Sequence, residues 1–332
     1  MKLGLMLGYW MAGPEDPIDL VREAEDLGFD SVWTAEAYGS DVFSPLCWMG
    51  ARTTRIKLGT SIMQIAARTP ACVAMTATTI DHLSNGRLIL GIGVSGPQVV
   101  EGWYGQPFPK PMGRTREFVQ LLRTMLRREG PVAFDGEHYK LPYPGGTGLG
   151  KPLKLIVRPR RPHIPIYLAA EGPQNVAMAI EIADGWIPLY YSPYRPQVYA
   201  ESLQHRRPGF EIACPTIVNV NDDLEQALMP VKWMLAFYIG GMGAKTKNFH
   251  ANLVRRMGFE DAANRVQELF FAGRRAEAAA AVPDQFADEI ALVGPPQRIQ
   301  DRLQAWKRTP VTTLVCGTRD PVALRLLAEA AE

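Results

Sequence analysis

The chain is poor in the residues that build metal centres and disulfide frameworks. Its four cysteines, Cys47, Cys72, Cys214 and Cys316, lie far apart, with no C-x-x-C and no histidine nearby at metal-ligand spacing. The five histidines, His82, His138, His163, His205 and His250, form no H-x-x-x-H or similar cluster. A structural metal is therefore not expected, and the cysteines read as small buried hydrophobes in a reducing compartment. Charge of one sign is also lacking. The 36 lysines and arginines against 34 aspartates and glutamates are scattered along the chain, which disfavours nucleic acid or an anionic membrane as a partner. No stretch reaches the ~18 apolar residues of a membrane span. The N-terminal MKLGLMLGYW lacks a basic region followed by a small-residue cleavage site, so a cytoplasmic location is expected.

What the chain has instead is alternation. Leu3 to Leu7 is a short apolar run of strand type, followed by helical spacing of Ile18, Val21, Ala24, Glu25 and Leu27. Asp16 suits the cap of that helix, Pro17 its first position and Gly28 its stop. DSVWTAE, RIKLGTSIMQI and RLILGIG read as further strands, with helices around Pro45 to Ala51 and in RTPACVAMTATTIDHL, the latter stopped at Asn85-Gly86. HIPIYLAA, DGWIPL, IACPTIVNV and TTLVCG supply strands five to eight, and a final helix runs from Pro321 to Ala331. Eight strands alternating with helices predict a parallel (β/α)8 TIM barrel. Two long excursions, at about 105–160 and 222–305, read as insertions into a single domain spanning 1–332, because neither carries a strand set of its own.

Gly91, Gly93 and Gly96 form a G-x-G-x-x-G directly after the fourth strand. A dinucleotide fingerprint of this kind follows the first strand of its domain, with an acid about 20 residues on at the end of the second. Here the acid at that offset, Glu117, sits in REFVQLLRTML, which has helical periodicity, and Pro97 follows the third glycine. The glycines are read instead as permitting a tight strand-to-helix loop close to a ligand.

In a barrel of this type the active site gathers at the C-terminal ends of the strands. That rule selects Tyr9-Trp10, Glu36, Ser61 to Gln64, Val94-Ser95, Ala169-Ala170-Glu171-Gly172-Pro173 and Tyr190-Tyr191. Glu36 is the carboxylate among the early strand ends. It can serve as a general acid or base among apolar neighbours such as Trp33 and Tyr38, or simply pair with Arg68. Asp81 falls on a helix and reads as structural. The small-residue turn at 169–173 precedes a helix whose N-terminal N–H groups suit a phosphate. Lys245 and Lys247 can reach an anionic tail or be merely solvated, and Arg114 and Arg116 can recognise an acid group or, the reading preferred, sit on a helix surface. Tyr9, Trp10, Trp103, Tyr104, Tyr190 and Tyr191 gather at the predicted mouth, where they suit stacking on a flat ring.

Over nearly its full length the chain resembles the luciferase-like superfamily, and in particular its actinobacterial coenzyme F420-dependent oxidoreductases. The resemblance is carried by AEDLGFDSVW, LGTSIMQIAARTP, DHLSNGRLILGIGVSGPQVVEGWYG and YLAAEGPQNVAMAIEIADGW. It implies a TIM barrel, a homodimer, and a deazaflavin at the strand C-termini. It further implies a non-prolyl cis peptide at Ser61-Ile62 behind the ring, with Ser61, Ile62, Met63 and Ser95 as cofactor contacts. The phosphate-binding backbone of relatives matches Ala169, Ala170, Glu171, Gly172 and Pro173. Tyr9, Trp10, Trp103 and Tyr190 then fall to the substrate pocket.

The sugar-phosphate dehydrogenases of the superfamily carry Asp-His at the second strand end and a glutamate just after the fourth-strand glycine; here the positions read Glu36-Ala37 and Pro97. The resemblance thus implies hydride transfer between F420 and a small organic substrate, with Glu36 handling a proton or orienting the ring. An FMN-dependent monooxygenase of the same fold and a non-catalytic deazaflavin carrier stand as the alternatives.

Overall fold

A computed structural model of the chain describes residues 1–8, 15–243 and 248–331. Strand β1 (Lys2–Gly8) is followed by helix α1 (Ile18–Asp26), β2 (Ser31–Thr34), α2 (Phe43–Gly50), β3 (Lys57–Thr60) and its continuation β4 (Met63–Gln64). Then come α3 (Pro70–Leu83), β5 (Leu88–Gly93), α4 (Pro97–Gly102) and α5 (Pro111–Arg127). An antiparallel hairpin, β6 (Phe134–Asp135) and β7 (Lys140–Leu141), precedes β8 (Ile166–Ala169), α6 (Pro173–Ile182), β9 (Gly185–Ile187), α7 (Ala200–Leu203) and β10 (Glu211–Val220). The second half of the chain adds α8 (Leu224–Gly240), α9 (Phe249–Arg256), α10 (Glu260–Phe271), α11 (Arg275–Ala280) and α12 (Asp284–Glu289). It closes with β11 (Leu292–Gly294), α13 (Pro296–Lys307), β12 (Thr313–Gly317) and α14 (Pro321–Ala331).

Parallel pairing runs β1-β2-β3-β5-β8-β9-β10-β12 and returns to β1, so the eight strands close into the expected barrel. Helix placement follows local chemistry. Thr69 accepts from Cys72 N–H at the start of α3, and Asn85 and Gly86 end that helix in left-handed backbone, at φ 62° and 84°. Helix α1 starts one residue after Pro17, with Ile18 N–H donating to Asp16 Oδ1 at 3.1 Å, and Gly28 stops it at φ 81°.

Two apolar layers result. Strand and helix side chains fill the shell, while Trp33, Ile89, Tyr167, Ile187, Ala213 and Val315 fill the barrel interior. One indole in so narrow a space needs neighbours without side chains. A Cβ on Gly59 would fall 2.3 Å from the Trp33 ring, and one on Gly4 3.0 Å from its Nε1. Trp33 Nε1 donates to Ser31 Oγ at 2.9 Å, which satisfies the buried N–H.

Several expectations need correction. Gly91 and Gly93 lie within β5 rather than in a ligand loop: a Cβ on Gly91 would meet Thr60 O at 1.9 Å, and one on Gly93 would meet Ile62 Cδ1 at 2.3 Å. Strand-to-strand and strand-to-Ile62 approach demand them, and only Gly96 stands in the loop, as the N-cap of α4. Glu117 turns its carboxylate to the N–H groups of Glu137, His138 and Tyr139 and so braces the hairpin. Helix α5 lies inside the segment read as the first insertion, yet it packs on α3 and α6 as a shell helix, burying Phe118, Leu121 and Leu122. The excursion proper is the hairpin and the arm after it, pinned where Arg161 forks onto Asp81 at 2.7 and 3.0 Å. The second excursion contributes β11, which pairs with the end of β10; three residues are too few to show a period. Cys47 and Cys72 are exposed, against expectation, and Cys214 and Cys316 are buried.

Because Gly91 faces backbone, which cannot rotate aside, Gly91→Ala is expected to cost about 3 kcal/mol of unfolding free energy by overpacking. Urea denaturation measures it, and a loss below about 0.5 kcal/mol, the scale of an indifferent surface change, would show that β3 and β5 can part freely.

Candidate functional site

The strand C-termini open onto a cavity of about 1350 Å³, bounded by residues from the barrel mouth and from α8 and α9. Among the described residues its ionisable lining is Glu36, Glu171, His250 and Arg256, with the phenols of Tyr38, Tyr190 and Tyr238; most of the rest is apolar or glycine.

Glu36 lies just past β2 and is 7% exposed. Its Oε1 stands 2.7 Å from Arg68 Nη1. Its Oε2 accepts from Arg68 Nη1 at 2.9 Å and from the Gln64 backbone N–H at 3.0 Å. The Gln64 side chain reciprocates, its Nε2 donating to Glu36 O at 3.0 Å. The guanidinium also rests over the Phe43 ring, 5.1 Å from its centroid. Of the two roles open to Glu36, the ion pair with Arg68 is therefore formed, and both carboxylate oxygens are engaged. Burial and the charge of Glu36 push the nearby Tyr104 phenol up, with Arg68 opposing.

Gln64 follows directly on the segment where the Ser61-Ile62 peptide is cis. Ser61 N–H donates to Thr34 O at 2.6 Å, and Ile62 lies over Gly93. Ser61, Ile62 and Gln64 line the cavity; Met63 does not, because its side chain is fully buried in the strand-helix shell. Ser95 also lines it, with φ 61°, and so does Tyr190, with φ 53°. Left-handed backbone costs a non-glycine residue roughly 1–2 kcal/mol. Two such residues at strand ends on one cavity mark a wall whose shape is enforced from outside.

The turn Ala169 to Pro173 lies on the same wall. Gly172 is the extended N-cap of α6, and the first hydrogen bond of that helix runs from Val176 N–H to Gly172 O at 2.9 Å. The N–H groups ahead of it have no intrahelical acceptor and carry the positive end of the helix dipole. A Cβ on Gly172 would meet nothing within 4 Å, so that position faces open space. Arg256 Nη2 donates to Glu171 O at 2.6 Å. His250 Nδ1 stands 2.8 Å from Glu171 Oε1, off the axis of a hydrogen bond.

Of the expected aromatics, Trp103 stands at the rim, 65% exposed and 6.4 Å from Tyr38, and Tyr190 is buried in the cavity wall. Tyr191 is instead packed into the shell, stacked on Tyr199 at 6.0 Å, and Tyr104 does not line the cavity. Tyr9, Trp10, Lys245 and Lys247 lie outside the described residues. Arg116 pairs with Glu181 on the surface and is not part of the site. His250, Asn252 and Arg256 also line the cavity, with no motif in the sequence to announce them; α9 brings them over from some 80 residues beyond the turn at 169–173. No group of three or more potential metal ligands occurs among the described residues, nor any helix long and apolar enough to cross a membrane.

Comparison with known proteins places this geometry. The model of the luciferase-like monooxygenases matches residues 5–313. The chain belongs to that family. A Mycobacterium tuberculosis protein, provisionally named a coenzyme F420-dependent oxidoreductase, is 50% identical over 99% of this chain and 98% of its own length. The 5,10-methylenetetrahydromethanopterin reductase of Archaeoglobus fulgidus is 30% identical over 90% of this chain and 88% of its own. Among solved structures, the coenzyme F420-dependent tetrahydromethanopterin reductase of Methanopyrus kandleri superposes with a TM-score of 0.81 at 23% identity, covering 99% of this chain and 97% of that one, which shows a shared fold.

A buried ion pair loses most when one partner is removed, leaving the other charge unpaired. Arg68→Met is expected to cost about 3 kcal/mol by this route, and Glu36→Gln/Arg68→Met less than the sum of the single changes. Denaturation of the three variants measures the coupling; strict additivity would mean that the pair does not hold the mouth together.

Proposed function

We propose that the cavity binds coenzyme F420 and that the protein is a deazaflavin-dependent oxidoreductase acting on a small organic substrate. The observation that carries the reading is the open helix N-terminus at Gly172 on the same apolar cavity as the Ser61-Ile62 turn. The residues present fit such a group. The apolar surface at Ile62 and Gly93 suits a flat ring. Buried acceptors without partners, Gln64 Oε1, Glu171 Oε2 and Asn175 Oδ1, suit a ligand that brings N–H and O–H donors, as a ring imide and a sugar-alcohol chain do. The turn at Ala169 to Pro173 would hold a phosphate, with Arg256 beside it.

Bound there, a deazaflavin supplies an obligate two-electron hydride carrier. The chain's contribution is positioning and exclusion of water. Ser61 and Ile62 would back the ring, Ser95 would border it, and the apolar wall keeps solvent from the reacting faces. Trp103 and Tyr190, with Tyr38, would bound the substrate. Glu36 has both oxygens committed to Arg68 and Gln64, so its part in this reading is to fix the ring's surroundings; the exposed phenol of Tyr38 is the proton-handling candidate on the substrate side. A cavity of about 1350 Å³, above the roughly 300–1,000 Å³ of ordinary small-ligand sites, suits a cofactor together with a substrate.

A homodimer belongs to the same reading, supported by apolar side chains left exposed on α3 and the arm, Met75, Leu83, Leu153 and Ile156. A reducing cytoplasm suits the four free thiols.

Fluorescence titrations with F420 and with FMN test the cofactor. Tight F420 and weak FMN binding are expected, and the reverse would make the protein a flavin monooxygenase. In Gly172→Trp the backbone, at φ −76°, accepts the side chain without strain, at a position that lines the cavity. That variant is expected to stay folded and to lose F420 affinity by at least tenfold, as about 1.4 kcal/mol of lost binding implies.

A further inference from the structure

Gln64 is 5% exposed, lines the cavity, and has an orientation set by its neighbours. Its side-chain nitrogen donates to Glu36 O at 3.0 Å. A backbone carbonyl only accepts, so the amide cannot be turned the other way, and Oε1 is the atom left on the opposite side. Oε1 is buried and has no hydrogen-bond partner among the described residues. The backbone is held too, because Gln64 N–H donates to Glu36 Oε2, and that oxygen is anchored by Arg68. The result is a fixed acceptor in a mostly apolar wall, two residues beyond Ile62. A buried acceptor of this kind is costly while empty and selective once filled.

We propose that Gln64 Oε1 accepts a hydrogen bond from the imide N–H of the bound deazaflavin ring, and thereby fixes which way round the ring lies. The inference rests on the functional reading above. The imide is an N–H donor on the rim of a flat ring, flanked by two carbonyls, and it is out of reach of water once the ring is buried. The ribityl and phosphate groups would lead away toward Gly172, leaving the ring end of the ligand at Gln64. A ring turned over would bring a different part of its edge, without that N–H, against Oε1. Gln64 is then the residue that decides which face of the ring meets the substrate, and the Glu36–Arg68 pair positions it.

The test uses the phosphate-free fragment 8-hydroxy-5-deazariboflavin and its imide N-methyl derivative, titrated by fluorescence into wild-type protein and Gln64→Met. Wild type is expected to bind the methylated compound at least tenfold more weakly, the scale of one lost hydrogen bond with its acceptor stranded. Gln64→Met is expected to bind the parent compound about tenfold more weakly and to show less than a threefold penalty for methylation, because the bond is already gone. Thermal melting of the ligand-free protein checks that the variant is folded. If it is not, the wild-type comparison decides alone. An equal methylation penalty in both proteins, or a wild type indifferent to methylation, overturns the inference and leaves the functional reading intact. A wild type that binds F420 not at all removes both.

Discussion

Glu36 ties three segments of the barrel mouth to one point. Its carboxylate takes the Gln64 backbone N–H and the Arg68 guanidinium, and its carbonyl takes the Gln64 side chain. Because these bonds are buried, each is stronger than it would be in water, and each missing partner would leave an uncompensated polar group. The end of β2, the segment around Ser61-Ile62 and the loop leading to α3 are thereby fixed relative to one another. The cavity wall at Ile62, the Gln64 acceptor and the way a flat ligand can lie all follow from that arrangement. Both oxygens of Glu36 are engaged in this arrangement, and its visible role is to position the segments around it.

The remainder of the fold supports the same wall from below and from the side. Trp33 fills the barrel interior with its indole, and Gly4 and Gly59 yield the space it needs, so the cavity has a solid floor. Gly91 lets β5 close on Thr60, and Gly93 lets Ile62 settle on that floor. On the far side, Ser95 and Tyr190 hold left-handed backbone at the ends of their strands, and α9 lays His250 and Arg256 against the turn before α6. Strand ends thus form one wall of the cavity, and loops and the helical excursion form the rest. Hydride transfer needs cofactor and substrate held close and in line, and small displacements are expensive.

Much of this was legible from the residues because barrel strands and shell helices have clear periods. The eight barrel strands, the stop at Asn85-Gly86 and the structural role of Asp81 all follow from local patterns. The turn at Ala169 to Pro173 was legible for the same reason, since Gly-Pro before a helical period marks an open helix start. Three kinds of feature were hidden. Glycines chosen for close packing look like glycines chosen for a ligand turn, so Gly91 and Gly93 misled. Long-range partners leave no spacing, so His250 and Arg256 were silent, and Gln64 gave no sign that one of its amide atoms would be fixed and the other left open. Finally, aromatics adjacent in sequence part company in space. Tyr190 turns to the cavity and Tyr191 to the shell, which no count of aromatics at the mouth could reveal.

The most direct test of the central claim is a crystal structure of the protein with F420 bound. The ring is expected against Ile62 with its imide edge at Gln64, and the phosphate within hydrogen-bond distance of the first N–H groups of α6. A ring outside the barrel mouth, or a phosphate held away from Gly172 and Gln174, would contradict the proposal.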